Sequence, residues 1–245
     1  MALHFVLDEP ATAVPGEQIV LTGSEAHHAA AVRRVRAGEA VTVGDGRGVW
    51  LEGTVVAVDA RRVEIEVIVR SEVPPPGVRI ELVQALAKGD RDELAVQAST
   101  ELGVDVITPW QASRSVSRWD GPKQEKGVAR WRTIAREAGK QSHRAWLPVV
   151  RGIETTAALA ARAGSVRMLV LEPTADERLT TIEWDATDWR DVVLVVGPEG
   201  GIADGELQVL VSAGATLVRL GDEVLRTSTA GPAAIALLCA RLGRW

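Results

Sequence analysis

The chain of 245 residues contains a single cysteine, Cys239, which excludes a disulfide framework and a cysteine-rich zinc site. Cys239 closes the apolar run that begins at Ala233 and reads as a core residue in a reducing compartment. No apolar segment of signal length follows Met1, and no run approaches the roughly 20 apolar residues that span a bilayer. The expectation is a soluble, cytoplasmic protein with no membrane partner. Internal repeats and low-complexity tracts are absent as well. A net charge of -5 argues against a generally basic protein that coats nucleic acid. Two phosphate-binding signatures are also missing. No Lys-Ser/Thr follows a glycine loop, and no G-x-G-x-x-G follows a strand, so neither a nucleoside triphosphatase nor a dinucleotide enzyme is indicated.

What is present is concentrated near the end of the chain. The run Leu194-Val195-Val196 opens into Gly197-Pro198-Glu199-Gly200-Gly201, as a buried strand does when backbone must approach a ligand closely. About twenty residues later, Thr216 to Leu220 repeats the form and breaks at Gly221. Two such loops at one edge of an open α/β sheet would form a single pocket beyond the carboxyl ends of the strands.

The prolines of Glu72-Val73-Pro74-Pro75-Pro76-Gly77 end any helix or interior strand, and they divide the chain. We expect a first domain over residues 1–72, a linker over 73–77 and a second domain over 78–245. Before the linker, β-branched or alternating runs at Gln18 to Leu21, Ala40 to Val43, Val49 to Val58 and Arg62 to Val69 suggest a small β-barrel. One helix, Ser24 to Arg36, interrupts it, with Ser24 placed as its N-cap. His27 and His28 are adjacent on that helix and cannot share a metal, which needs i, i+3 or i, i+4 spacing. No metal site is expected. The basic edge formed by Arg33, Arg34 and Arg36 suits RNA better.

After the linker, strands and helices alternate, which argues for a mainly parallel sheet covered on both faces. Expected strands are Val78 to Leu86, Val104 to Pro109, Val166 to Leu171, Asp191 to Val196 and Thr216 to Leu220. Expected helices are Asp90 to Leu102, Gln124 to Gln141, Glu154 to Ala163, Asp204 to Ala213 and Ala230 to Leu242. The last is apolar on every side and must be buried, in the domain or against a partner subunit. From Gln111 to Arg151 ten cations face three carboxylates, a local net charge of +7. That stretch reads either as a polyanion-binding surface or as a solvated helix face. Trp119, Trp131 and Trp146, interleaved with it, suit stacking on exposed bases or packing in a core.

Taken in order, further segments carry a resemblance. They are His28 to Arg34 with Gly38-Glu39, Ala87-Lys88-Gly89-Asp90-Arg91-Asp92-Glu93-Leu94, Thr100 to Val104, Ser113-Arg114-Ser115-Val116, Gln141-Ser142 with Arg144 and Pro148, Leu171-Glu172-Pro173, Gly197 to Gly201, and Leu220 to Ala230. Over essentially its whole length the chain resembles the SPOUT class of RNA methyltransferases, and within it the ribosomal small-subunit methyltransferase E family. The resemblance implies an α/β fold: a C-terminal, trefoil-knotted SPOUT domain behind a small N-terminal PUA-like β-barrel that binds RNA. It further implies a homodimer acting on 16S rRNA or the 30S subunit, with S-adenosylmethionine as cofactor and N3 of a uridine as acceptor. Another RNA target, or a noncatalytic RNA-binding assembly factor on the same fold, are the alternatives.

By the same resemblance the cofactor lies across three loops: Leu171 and Glu172; Gly197, Pro198, Glu199, Gly200 and Gly201; and Leu220, Gly221, Leu225, Thr227, Thr229 and Ala230. Apolar side chains and glycine-rich backbone there meet the needs of an adenine. Glu199 either sits near the sulfonium or caps the following helix. Arg226 is the catalytic candidate, orienting uracil or stabilising its developing anion, unless it is spent on Glu223 or Asp222. Where the family usually has Glu after Leu225-Arg226-Thr227, this chain has Ser228, which puts a base supplied by the protein in doubt. Arg33 and Arg34 in the first domain, with Arg114 and Arg144 beyond the linker, are the RNA-contact candidates.

Overall fold

A computed structural model describes residues 2–183 and 188–245. Its contacts divide the chain into two compact units, the first comprising the residues up to Pro75 together with Gly139–Leu147, the second the remainder.

The first unit consists of β1 (Leu3–Val6), β2 (Gln18–Leu21), α1 (Gly23–His27), β3 (Ala40–Gly44), β4 (Val49–Asp59) and β5 (Arg62–Glu72). These strands form one sheet in the order β1-β3-β4-β5-β2, antiparallel except where β1 runs parallel to β3. Strict alternation on β5 buries Val63, Ile65 and Val67 and turns Glu64 and Glu66 outward. Phe5, Leu21, Val41, Val43, Leu51 and Val55 complete that core. The β4–β5 ladder slips at Glu52/Gly53, and only glycine fits there: a Cβ on Gly53 would lie 2.5 Å from the Glu66 carbonyl oxygen.

The helix expected from Ser24 to Arg36 is much shorter. α1 has five residues, Thr22 rather than Ser24 stands at its N-cap, and the chain then widens into a π-turn over His28–Val32. The widened turn, closed by Arg33 N–H to His28 O and Val35 N–H to Ala29 O, carries Val35 into the core beside Ala26 and Ala29.

Residues 139–147 belong to this unit through specific bonds. Gly48 N–H donates to Ala145 O, Leu147 N–H to Gly46 O, and Trp146 Nε1 to Val73 O. Lys140 Nζ meets Glu25 Oε1 at 2.7 Å, with both side chains more than nine-tenths buried. His4 stacks on Trp50 with ring centroids 4.3 Å apart, and His143 lies 5.3 Å from His4.

The second unit runs β6 (Ile80–Ala85), α2 (Arg91–Glu101), β7 (Val106–Trp110), α3 (Pro122–Gln141, whose last turn counts with the first unit), β8 (Val149–Val150), α4 (Thr156–Ala163), β9 (Arg167–Leu171), β10 (Val192–Val196), α5 (Asp204–Ser212), β11 (Thr216–Val218) and α6 (Thr227–Arg241). Its six strands are all parallel, in the order β11-β9-β10-β6-β7-β8. β6, β7 and β10 are buried at every position, as strands covered on both faces must be. Alternate residues feed two cores. Leu82, Leu194 and Val196 pack with Val96, Trp131, Ile235 and Leu238, while Val83, Val193 and Val195 pack with Leu159, Ala163 and Leu210.

Buried ions brace this sheet. Glu81 on β6 accepts from Thr108 and takes both oxygens to Arg162. Asp105 accepts from Ile80 N–H and from Arg244 just beyond α6.

α6 starts at Thr227, three residues earlier than expected, and only part of it is buried: Ala234, Ile235, Leu238 and Cys239 face the core while Leu237 is 40% exposed. Leu179 and Ile182, from the connection between β9 and β10, close over it, and Arg241 donates to the backbone carbonyls of both. Among the described residues no helix is long and apolar enough to cross a membrane.

Candidate functional site

In a parallel sheet all strands end on one side, so the loops leaving β9, β10 and β11 meet beyond their carboxyl ends. They enclose a cleft of about 390 Å³ in the second unit. Each of the three expected loops contributes to it. Leu171 and Glu172 come from the first, Gly197, Pro198, Glu199 and Gly201 from the second, and Leu220, Gly221, Leu225, Arg226, Thr227 and Ala230 from the third. Two expected residues stand outside the lining. Gly200 faces the Arg114 side chain, and Thr229 points outward from the first turn of α6.

The wall is mostly apolar: Val196, Ile202 and Val218 join Leu171, Leu220 and Leu225. These additions follow from the fold, since Val196 and Val218 are simply the last residues of their strands. Gly197 fits its place only without a side chain, because a Cβ would lie 2.6 Å from Ile202 Cγ1. The glycine loop is held from below as well. Arg114 donates from Nη1 to the carbonyls of Gly200 (3.3 Å) and Ile202 (3.1 Å), which holds the loop's shape and leaves Nε and Nη2 out of those bonds. Glu206, at the start of α5, accepts from Ser113 and Thr156 and fixes the next turn.

The cleft carboxylates differ in how far they are committed. Glu199 accepts from Lys88 N–H at 3.0 Å and from Arg91 Nη1 at 2.9 Å, which ties the glycine loop to the entry of α2. Burial pushes its carboxyl up, but hydrogen bonds from its own N–H, Lys88 and Arg91 outweigh that and hold it below the usual range. It therefore neither caps α5 nor stands unpaired in the cleft. Glu172 accepts from the N–H and hydroxyl of Thr174. Glu223 lines the cleft and is exposed, with no hydrogen-bond partner among the described residues.

Arg226 lines the cleft at the N-cap of α6 and makes no ion pair among the described residues. Asp222, one of its candidate partners, pairs instead with Arg178 at 3.0 Å. Thr227 is different: its hydroxyl accepts from Gln84 Nε2 at 2.8 Å and donates to Gly197 O at 2.7 Å. It lines the cleft while its polar atom serves the frame. Arg91 and Arg219, not selected from the sequence, also reach the cleft. Arg91 sits in the Lys88-Gly89-Asp90-Arg91 segment, so a signal for it was present.

The RNA-contact candidates divide between the units. Arg33 and Arg34 are exposed in the first, where Arg34 holds a φ of +55° just past the π-turn. Arg144 belongs to that unit too and is half-buried, whereas Arg114 lies in the second. The tryptophans are packing residues. Trp131 is 1% exposed and meets Trp119 edge to face at 5.3 Å, and Trp146 is fixed to the first unit through Val73.

Comparison with known proteins gives this geometry a family. The RNA methyltransferase domain family matches residues 74–239, and the RNA methyltransferase PUA domain family matches residues 21–68. The ribosomal RNA small subunit methyltransferase E of Mycobacterium tuberculosis is 43% identical over 235 residues, covering 94% of this chain and 89% of that protein. Its Bacillus subtilis counterpart is 29% identical, covering 86% and 85%. A crystal structure of the Neisseria gonorrhoeae methyltransferase E bound to S-adenosylmethionine superposes with a TM-score of 0.87 at 30% identity, over 98% of each chain. With its PUA-like first unit, its parallel sheet and a cleft at the strand ends, the chain belongs to the ribosomal RNA small subunit methyltransferase E family.

Proposed function

We propose that the protein transfers a methyl group from S-adenosylmethionine to N3 of a uridine in 16S rRNA, and that it does so in the cleft at the ends of β9, β10 and β11. The observation that carries this reading is the cleft itself. Apolar walls and a glycine-rich backbone sit beside the Arg226 guanidinium, which makes no ion pair among the described residues.

The residues present fit the cofactor. Leu171, Leu220 and Leu225 offer apolar surface to an adenine, and the backbone at Gly197 to Gly201 and at Gly221 can approach closely. When bound, S-adenosylmethionine supplies an electrophilic methyl group, so alignment is the larger share of what the protein contributes. Arg226 orients the uracil and stabilises the negative charge that develops on it as N3 loses its proton. With Glu172 and Glu199 engaged elsewhere and Ser228 on α6 offering no carboxylate, either the uncommitted Glu223 of the cleft or solvent takes that proton. The uridine must be unpaired and turned outward to reach the cleft. Arg33, Arg34 and Arg144 in the first unit contact RNA, and the exposed Leu237 of α6 supports a homodimer in which that face is covered.

The test is methyl transfer from labelled S-adenosylmethionine to 30S subunits lacking their own modifications, with the product nucleoside identified by mass. N3-methyluridine is the expected product. A different methylated nucleoside overturns the target, and cofactor binding without transfer favours a noncatalytic RNA-binding factor.

A further inference from the structure

Gln84 is the most deeply buried polar side chain near the cleft, yet it does not line it. It is the fifth residue of β6, is completely inaccessible, and lies in register with Val196, the residue before Gly197. Its amide donates from Nε2 to Ala85 O at 3.1 Å and to Thr227 Oγ1 at 2.8 Å, while Oε1 has no partner among the described residues.

The direction of these bonds is fixed by donor and acceptor chemistry. A backbone carbonyl can only accept, so Ala85 O selects the amide nitrogen over the oxygen. Thr227 must then accept from Nε2, which leaves its one hydroxyl proton for Gly197 O, 2.7 Å away. The result is a single chain of donors, Gln84 to Thr227 to Gly197, in which each bond polarises the next. It joins the central strand β6, the first turn of α6 and the glycine loop.

An apolar side chain of equal length would fill this position without stranding a buried acceptor. The amide therefore needs a use beyond packing, and its two donors supply one.

We propose that Gln84 is a positioning residue for the methyl transfer argued above, on which this inference rests: through the Thr227 hydroxyl it sets the Gly197 peptide and, one residue before Thr227, the backbone that carries Arg226. It touches no reactant itself.

The experiment compares full-length Gln84→Met, Thr227→Val and the double variant with the wild type. Affinity for S-adenosylmethionine is read by calorimetry at 25 °C, kcat and KM with 30S subunits, and stability by thermal midpoint. Each single variant should lower kcat/KM for the cofactor by about 10- to 100-fold. The double variant should be no worse than the poorer single, because both changes break one chain. Gln84→Glu should fail in the same direction, since a carboxylate draws the Thr227 proton away from Gly197 O. A merely structural role would lower the midpoint and leave kcat/KM within about threefold of wild type, and that result, or effects that multiply in the double variant, overturns the proposal. If Gln84→Met does not fold, Thr227→Ser against Thr227→Val decides. The serine, which keeps the hydroxyl, should be about tenfold the more active, and equal activities overturn the relay. A wild-type protein that neither binds the cofactor nor transfers methyl overturns the methyltransferase reading instead.

Discussion

Arg226 stands on extended backbone, φ -64° and ψ 150°, immediately before the first helical residue of α6. A guanidinium left without an ion pair beside a cleft is available to a ligand, and its planar fork distinguishes it from a lysine. Replacing Arg226 with alanine should lower kcat by at least about 100-fold, and Arg226→Lys, which keeps the charge but loses the fork, by about tenfold. Calorimetric affinity for S-adenosylmethionine should change much less than kcat in both. A second residue, His4, sets a pH dependence of stability rather than of chemistry. Burial, with help from His143 and Lys140, lowers its pKa to about 4. Between pH 6.5 and 4 the unfolded chain therefore binds more protons than the folded one, so stability rises with pH across that window. His4 contributes its full share above pH 6.5 and loses about 2 kcal/mol of it by pH 5. Urea midpoints at pH 7.5 and pH 5 should show this loss in the wild type. His4→Phe, which keeps a ring to stack on Trp50, should show a smaller one.

Among the elements, those whose pattern repeats were legible in the sequence and those made by context were not. β5 and β10 announce themselves by alternation and by an unbroken apolar run. β1, of four residues, and β8, of two, have no such signature, because only their partners β3 and β7 make them strands. α1 was overestimated because Ala29 to Val32 keeps a helical look after the hydrogen bonds have changed to π spacing. The last helix was legible as apolar but not as half-exposed, since composition does not say which face meets the sheet. Two of the cleft's loops were legible because glycines mark them at strand ends, while the third, at Leu171 and Glu172, carries no glycine and was expected only from the family resemblance. Gln84, over 100 residues from Thr227 and Gly197, could not be read that way. The C-terminal turn of α3 gives the clearest energetic test at this scale. Lys140 joins α1 through a buried ion pair with Glu25, and removing one partner leaves the other charge uncompensated. Lys140→Met should cost about 3–5 kcal/mol in chemical denaturation. Lys140→Met combined with Glu25→Leu should cost clearly less, since neither charge then remains buried alone.

Across the whole molecule, charge decides how RNA can be met. The chain carries a net -5, and the ten cations between Gln111 and Arg151 looked like one basic surface in the sequence. Much of that surface is already committed. Lys140 is buried with Glu25, Arg130 is held by Glu93, and Arg114 is drawn to the glycine loop. Lys123 and Lys126 on α3 remain exposed and make no ion pair among the described residues. A charge count over sequence therefore overstates the field available to a polyanion, because it cannot see which cations the fold has neutralised. If these two lysines meet phosphates, each releases counterions from the RNA, with a slope of about 0.7 per contact on a single strand. Binding of an rRNA fragment, followed from 50 to 300 mM KCl, should then lose about 1–2 from its log–log salt slope in the Lys123→Ala/Lys126→Ala variant. Cofactor affinity should stay the same, since neither residue lines the cleft. An unchanged slope would move the RNA contact away from α3 and toward Arg33 and Arg34, where the same substitution and the same titration can be repeated.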